Sequence, residues 1–322
     1  MIPIRDTIPS KNYPIVNNIL IGTNILIFLV ELTLGQDLNQ FIYTYGLVPA
    51  RYTMPQVASY FSFGQQLFSL VSFMFLHGGF WHILGNMWFL YIFGDNVEDR
   101  LGPLRYLFFY LGCGFLSGIS HLLLNLHSDL PTIGASGAIA GVMGAYFILY
   151  PKAKILTLIP IIFIPWFIEI PAFFFLGIWF LLQFISAAGS HADIGGIAWW
   201  AHIGGFVFGI VLLKIFHAIP STGVTDKMRR ATTRKKTHRL QVIHPVGPSE
   251  DPHLYGKIHI TPYEAITGTH KLVNIPWGVQ KRLFRVVSPP GMKAGSTLRL
   301  KGLGKIMSNG ERGDLLLTVV FE

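Results

Sequence analysis

Five polar side chains lie in or beside apolar runs, where such groups cost free energy and are functional candidates. Ser136 lies in TIGASGAIAGVMG, His202 in GGIAWWAHIGGFVFGI, and His77, His82 and Asn86 in FLHGGFWHILGN. A hydroxyl and an imidazole are sufficient for attack on a carbonyl carbon, the imidazole taking the proton as the oxygen adds. A lone serine in an apolar helix ordinarily bonds back to its own backbone, but the flanking residues here argue for more. Gly134, Gly137, Gly141 and Gly144 strip one face of the serine helix, and Gly204, Gly205 and Gly209 do the same beside His202. Two such faces let backbones approach closely enough for a Ser–His hydrogen bond inside a bilayer. Ser136 is expected where its helix begins, so free backbone N–H groups there can help hold an oxyanion. His82 and Asn86, four residues apart, share one helix face and can both donate hydrogen bonds; taken alone they fit a helix–helix polar clasp equally well. A metal centre built from His77, His82 and His202 is disfavoured, because there is no HExxH and no obvious inward carboxylate. An intramembrane aspartyl pair is disfavoured too, since only Asp95 lies near a span. No cofactor is expected.

The elements that must carry these groups are membrane helices. The 322 residues are 51% apolar and 13% charged, about half the charge of a soluble chain, with a mean hydropathy of +0.49. That composition excludes secreted, disordered and collagen-like chains. A single cysteine, Cys113, excludes a disulfide framework and a cysteine-based zinc site. Apolar stretches able to cross about 30 Å of hydrocarbon begin near Ile15, His77, Leu104, Gly134 and Gly196. A further run, Ile155 to Ile185, is about 31 residues long and holds Pro160, Pro165 and Pro171. Read as one crossing, it gives six spans with both termini on one side. Arg5, Lys11, Arg100, Arg105, Lys152 and Lys154 then face the cytoplasm, leaving only Arg51 outside. The first run, with Asn17, Asn18 and Asn24, is too long for a cleaved signal peptide and is expected to stay. Residues 36–64 read as a long aromatic outer loop with structure of its own.

Charge divides the chain. Residues 1–216 hold 8 Lys+Arg against 9 Asp+Glu, and the remainder 17 against 7. Lys227 to Arg239 contains seven Lys/Arg in 13 residues, which fits a solvated linker or attraction to anionic lipid. Nucleic acid is not expected, since no aromatic platform accompanies the run. From His253 the period becomes two, with LYGKIHI, KLVNIP, RLFRVVSP, STLRLKG and DLLLTVVFE as strands of a small β-sandwich.

The segments HGGFWHILGNMWFLYIFGDNVEDRLG, GASGAIAG and AHIGGFVFG together resemble the rhomboid family of intramembrane serine proteases. The resemblance implies that Ser136 is the nucleophile and His202 the general base of a dyad. It implies that His82 and Asn86 hold the oxyanion with the Ser136 backbone N–H, supported by His77 and Gly134. It also implies substrates with a single spanning helix and a mobile cap at Ser186 to Gly196. Where many rhomboids carry a Trp-Arg pair this chain has GLVPARY, and WWAH replaces the usual spacing before His202. The tail words YGKIHITPYEAITGTHKLVNIP, VVSPPGMKAGSTLRLKGLG and GERGDLLLTVVFE resemble the C-terminal, client-binding domain of DnaJ-type (Hsp40) chaperones, without a J-domain or zinc module.

The expected architecture is therefore an α-helical polytopic membrane protein: a six-span rhomboid bundle over 1–216, a basic cytoplasmic linker over 217–252 and a soluble all-β domain over 253–322. The expected activity is intramembrane serine endopeptidase, with the β domain regulating or recruiting. Expected partners are single-span membrane substrates, the lipid bilayer and extended hydrophobic peptide clients. The alternative is a non-catalytic membrane scaffold. Both termini are expected in the cytoplasm, and no transit-type segment precedes the first span, which points to a bacterial plasma membrane.

Overall fold

The computed structural model describes residues 1–8, 10, 12–161, 164–189, 198–220, 223–233, 240–248, 251–277, 280–307 and 310–321. The chain divides into two compact units, Met1–Thr233 and Arg234–Glu322.

The first unit is built on helices. α1 (Ile15–Thr33) leads into a stretch of short helices, α2 (Leu38–Tyr45), α3 (Ala50–Thr53) and α4 (Pro55–Ala58), and then α5 (Phe63–Ser72). α6 (Phe80–Leu101), α7 (Pro103–Leu124), α8 (Ser136–Leu149), α9 (Ala172–Gly189), α10 (Trp199–Ala218) and α11 (Gly223–Thr232) follow. The outer loop is thus structured, as its length and aromatic content predict. Arg51, fully buried there, donates to the carbonyls of Thr44 (3.1 Å) and Tyr43. Its guanidinium lies 3.6 Å from the centre of the Phe61 ring, a cation–π contact that gives this arginine a packing role without a neighbouring tryptophan.

Among the described residues four helices, α1, α7, α9 and α10, are long and apolar enough to cross a membrane. The segments Phe63–Phe75 and Phe80–Leu101, bent by 78° at the break between them, form a fifth when taken as one span. α8 is apolar but has only 14 residues.

The run from Ile155 to Ile185 is not one helix. Its first half is a hairpin of β2 (Lys154–Ile161) and β3 (Ile164–Pro171), and only the second half is α9. An N-terminal strand, β1 (Ile2–Asp6), pairs with β2 to complete a three-stranded sheet in the order β1-β2-β3. Pro160 opposes Pro165 at the closed end and Pro171 opposes Lys154 at the open end, so the prolines that made a 31-residue span awkward sit at the hairpin's limits.

α1 is held by polar ties that explain Asn17. Asn17 Nδ2 donates to the Leu90 carbonyl at 3.1 Å, and the Tyr106 hydroxyl donates to Asn17 Oδ1 at 2.7 Å. No side chain of its own caps α1. Glu98 of α6 does so instead, accepting from the backbone N–H groups of Val16 (3.1 Å) and Asn17 (2.8 Å), where a carboxylate also suits the helix dipole. Asp99 accepts from the Asn12 N–H at 2.9 Å and Ser10 donates to Asp95. The acidic end of α6 thus fastens the N-terminal segment. Part of the basic run falls in α11, and the Thr232 carbonyl accepts from the Tyr13 N–H at 2.8 Å. The first unit therefore runs beyond residue 216, through Thr233.

The second unit contains β4 (Leu240–Val242), β5 (Leu254–Ile260), a short helix α12 (Pro262–Thr267), β6 (Thr269–Trp277), β7 (Gln280–Ser288), β8 (Thr297–Leu300) and β9 (Leu315–Phe321). They form two three-stranded sheets, β4-β6-β7 and β5-β9-β8. Val273, Ile275 and Val286 from the first sheet, with Ile243 just past β4, share one buried core with Ile258, Ile260, Leu315, Leu317 and Val319 from the second, the inner faces of a sandwich. All five strand words of the tail correspond to β5 to β9.

Candidate active site

The glycines of α8 and α10 decide how near the two helices come. A Cβ on Gly205 would strike the Gly137 carbonyl, one on Gly209 the backbone of Gly141, and one on Gly144 the backbone of Phe206. The helices are therefore in backbone contact, the approach that small residues permit between membrane helices. At that separation Ser136 Oγ lies 2.8 Å from His202 Nε2. His202 is buried, and its other ring nitrogen, Nδ1, lies 2.7 Å from Oε1 of Gln183 on α9. The rings of Trp179 and Trp199 both neighbour it, with centroid separations of 6.0 and 6.1 Å.

Ser136 is the first residue of α8, and the N-cap residue, Ala135, supplies no side-chain cap, so the first turn has backbone N–H groups without a partner in their own helix. Gly134, just ahead, has φ +123°, a left-handed conformation that favours glycine. Its N–H donates to the Phe73 carbonyl at 2.9 Å. A Cβ there would lie 2.7 Å from His82 Nε2 and 3.6 Å from Asn86 Nδ2. The absent side chain is what lets both polar groups of α6 face the turn carrying Ser136. His82 Nδ1 accepts from the Gly78 N–H at 3.3 Å, which leaves the proton on Nε2 and makes that atom a donor. Asn86 Nδ2 is buried without a partner among the described residues, a donor held ready for something else. His77 is also buried; its ring lies 5.1 Å from that of His82, and its N–H donates to Glu31 at 3.1 Å.

A cavity of about 890 Å³ lies over this group, and Trp81, His82, Asn86, Ser136, Trp179 and His202 are among its lining residues. Ser136, His202, His82, Asn86 and Gly134 are thus brought together. His77 stands behind His82 rather than in the cavity wall. Of the cap expected at Ser186 to Gly196, residues 190–196 lie outside the described residues. Gln183 was not anticipated. It is the single amide in the apolar run FLLQFIS, without the flanking glycines that mark Ser136 and His202.

Residues 64–219, from the second residue of α5 to just past α10, match the Rhomboid domain. The chain is similar to Rhomboid protein 1, mitochondrial, of Saccharomyces cerevisiae, with 31% identity over 44% of this chain and 40% of that protein. It is similar to RHOMBOID-like protein 6, mitochondrial, of Arabidopsis thaliana, with 31% identity over 50% of this chain and 47% of that one. Rhomboid-like protease 5 of Toxoplasma gondii shows 29% identity over 52% of this chain and 19% of its own length. These matches support the rhomboid family for the membrane unit, and the spanning helices make the chain an integral membrane protein. The chain spans about half or less of the length of these relatives. Two of the three names are mitochondrial, so they lend no support to the expected bacterial plasma membrane.

Proposed function

We propose that this protein is an intramembrane serine endopeptidase that cuts the spanning segments of membrane proteins. The observation that carries the reading is the Ser136 Oγ to His202 Nε2 contact of 2.8 Å at the uncapped start of α8. Ser136 Oγ attacks the scissile carbonyl carbon as His202 Nε2 takes its proton. The tetrahedral oxyanion is held by the Ser136 N–H, His82 Nε2–H and Asn86 Nδ2–H, donors aimed where charge develops. On collapse the leaving amine takes the proton back from His202, and water entering through the cavity hydrolyses the acyl-enzyme by the same route. A peptide bond in an intact helix is hidden, so substrates are single-span proteins whose helix unwinds locally. Six crossings by α1, the bent α5–α6 pair, α7, α8, α9 and α10, with both termini cytoplasmic, account for the charge distribution.

For the second unit we propose a chaperone-like role in binding extended hydrophobic segments. Val242, Leu272, Leu283 and Val287 are exposed on the sheet β4-β6-β7, and unpaired strand edges accept extended peptides by main-chain pairing.

The test is labelling of the full-length protein by a fluorescent fluorophosphonate, together with cleavage of a single-span substrate in liposomes. Wild type should label and cleave, and Ser136→Ala and His202→Ala should do neither. A folded wild type inert in both assays would replace the protease by the non-catalytic scaffold.

A further inference from the structure

We propose that Gln183 is a positioning residue for His202, so that the unit which works here is Ser136–His202–Gln183 rather than a bare pair. The inference rests on the protease reading and adds a third group to it.

What Gln183 does depends on which atoms carry protons. For His202 Nε2 to accept from the Ser136 hydroxyl, the neutral imidazole must carry its proton on Nδ1. That N–H needs a buried acceptor, and Gln183 Oε1 stands 2.7 Å away. An amide is ambiguous, since turned over it would present NH₂ to Nδ1 and force the unproductive tautomer. The turn is fixed by α9 itself: Gln183 Nε2 lies 3.4 Å from the carbonyl of Trp179, one helical turn earlier, and only an N–H can face a carbonyl. One helix thus sets the amide, the amide sets the imidazole tautomer, and the tautomer sets Nε2 as the base. Trp179 also neighbours the histidine ring, 6.0 Å between centroids and tilted by 35°, so the same turn of α9 supplies both a neighbouring ring and the acceptor. A neutral amide does this without placing an unpaired carboxylate among membrane helices, where a charge is costly.

Gln183 is buried, so loss of activity in a variant could reflect packing alone. Two substitutions separate the readings. Gln183→Leu keeps the volume and removes the acceptor; Gln183→Glu keeps the acceptor but puts an acid in an apolar wall. Positioning predicts that at pH 8 Gln183→Leu loses about tenfold in kcat with KM little changed, while Gln183→Glu retains more activity despite melting lower. A packing role predicts the reverse order, with Leu the better of the two, and that result would overturn the proposal. A second arm needs no activity. In ¹⁵N-histidine-labelled full-length protein in liposomes, the His202 resonances should report the Nδ1–H tautomer, also in Ser136→Ala, and the Nε2–H tautomer once Gln183→Leu is added. A tautomer indifferent to Gln183→Leu would refute positioning. A wild type that neither labels nor cleaves would refute the protease reading while leaving the tautomer experiment to judge Gln183.

Discussion

At the scale of residues, the site depends on one missing side chain and two donors. Gly134→Ala would place a methyl group 2.7 Å from His82 Nε2 on a backbone with φ +123°. It should abolish cleavage while the protein still inserts, checked by labelling and thermal unfolding of the same preparation. Asn86→Ala removes one oxyanion donor and should cost about 10²–10³ in kcat, with KM nearly unchanged. If KM rises and kcat holds, Asn86 binds substrate instead. The residues legible in the sequence were those whose neighbours were also abnormal: Ser136 and His202 stood among glycines that had no purpose unless helices touched. Gln183 stood among ordinary apolar residues, and its meaning lies wholly in which helix packs beside it, which a linear chain does not display.

At the scale of elements, two devices set the bundle: the glycine seam and the fastening of the N-terminal segment. Gly205→Leu would force α10 away from the Gly137 carbonyl. It should lower the melting temperature and cut activity more than a leucine placed on the lipid-facing side of α10, at Val207, which is exposed. Equal effects of the two substitutions would remove the seam's special role. Asp6, on β1, accepts from the Tyr146 hydroxyl (2.6 Å) and Asn96 Nδ2 (2.8 Å), and burial raises its carboxyl to about 6 from an ordinary 3.8. Ionising it therefore costs the folded state more than the unfolded one. The penalty is missing below pH 3.8, grows up to about pH 6 and is complete above. Asp6→Asn should flatten the dependence of melting temperature on pH between 4 and 7 relative to wild type; an unchanged slope would show that Asp6 does not contribute. Helices were legible where apolar length was clear. The hairpin before α9 was not, because Ile and Leu occupy both faces of β2 and β3 and erase the alternation that marks a half-buried strand. Only Lys154, Thr157 and Glu169 interrupt it, and Glu169 pairs with Lys154 at 2.9 Å.

At the scale of the whole molecule, two units with separate cores predict separable properties. Because the first unit runs through Thr233, deletion of residues 234–322 should leave labelling and cleavage measurable, whereas a cut after residue 216 also removes α11 and its tie to Tyr13. Loss of activity in the shorter truncation, with folding intact, would mean that the second unit belongs to the catalytic machinery. There is a consequence, too, in the shortness of α8. Fourteen residues rise about 21 Å, some 9 Å less than the hydrocarbon is thick. Gly137 to Tyr146 are all buried, so neighbouring helices, not lipid, meet the mismatch. On the proposed protease reading, the missing length becomes the depth of the cavity, with the Ser136 hydroxyl at its floor. On that same reading, lengthening α8 by one turn below Ser136 would raise that floor toward the headgroups and open the site to peptides that need not unwind from a spanning helix.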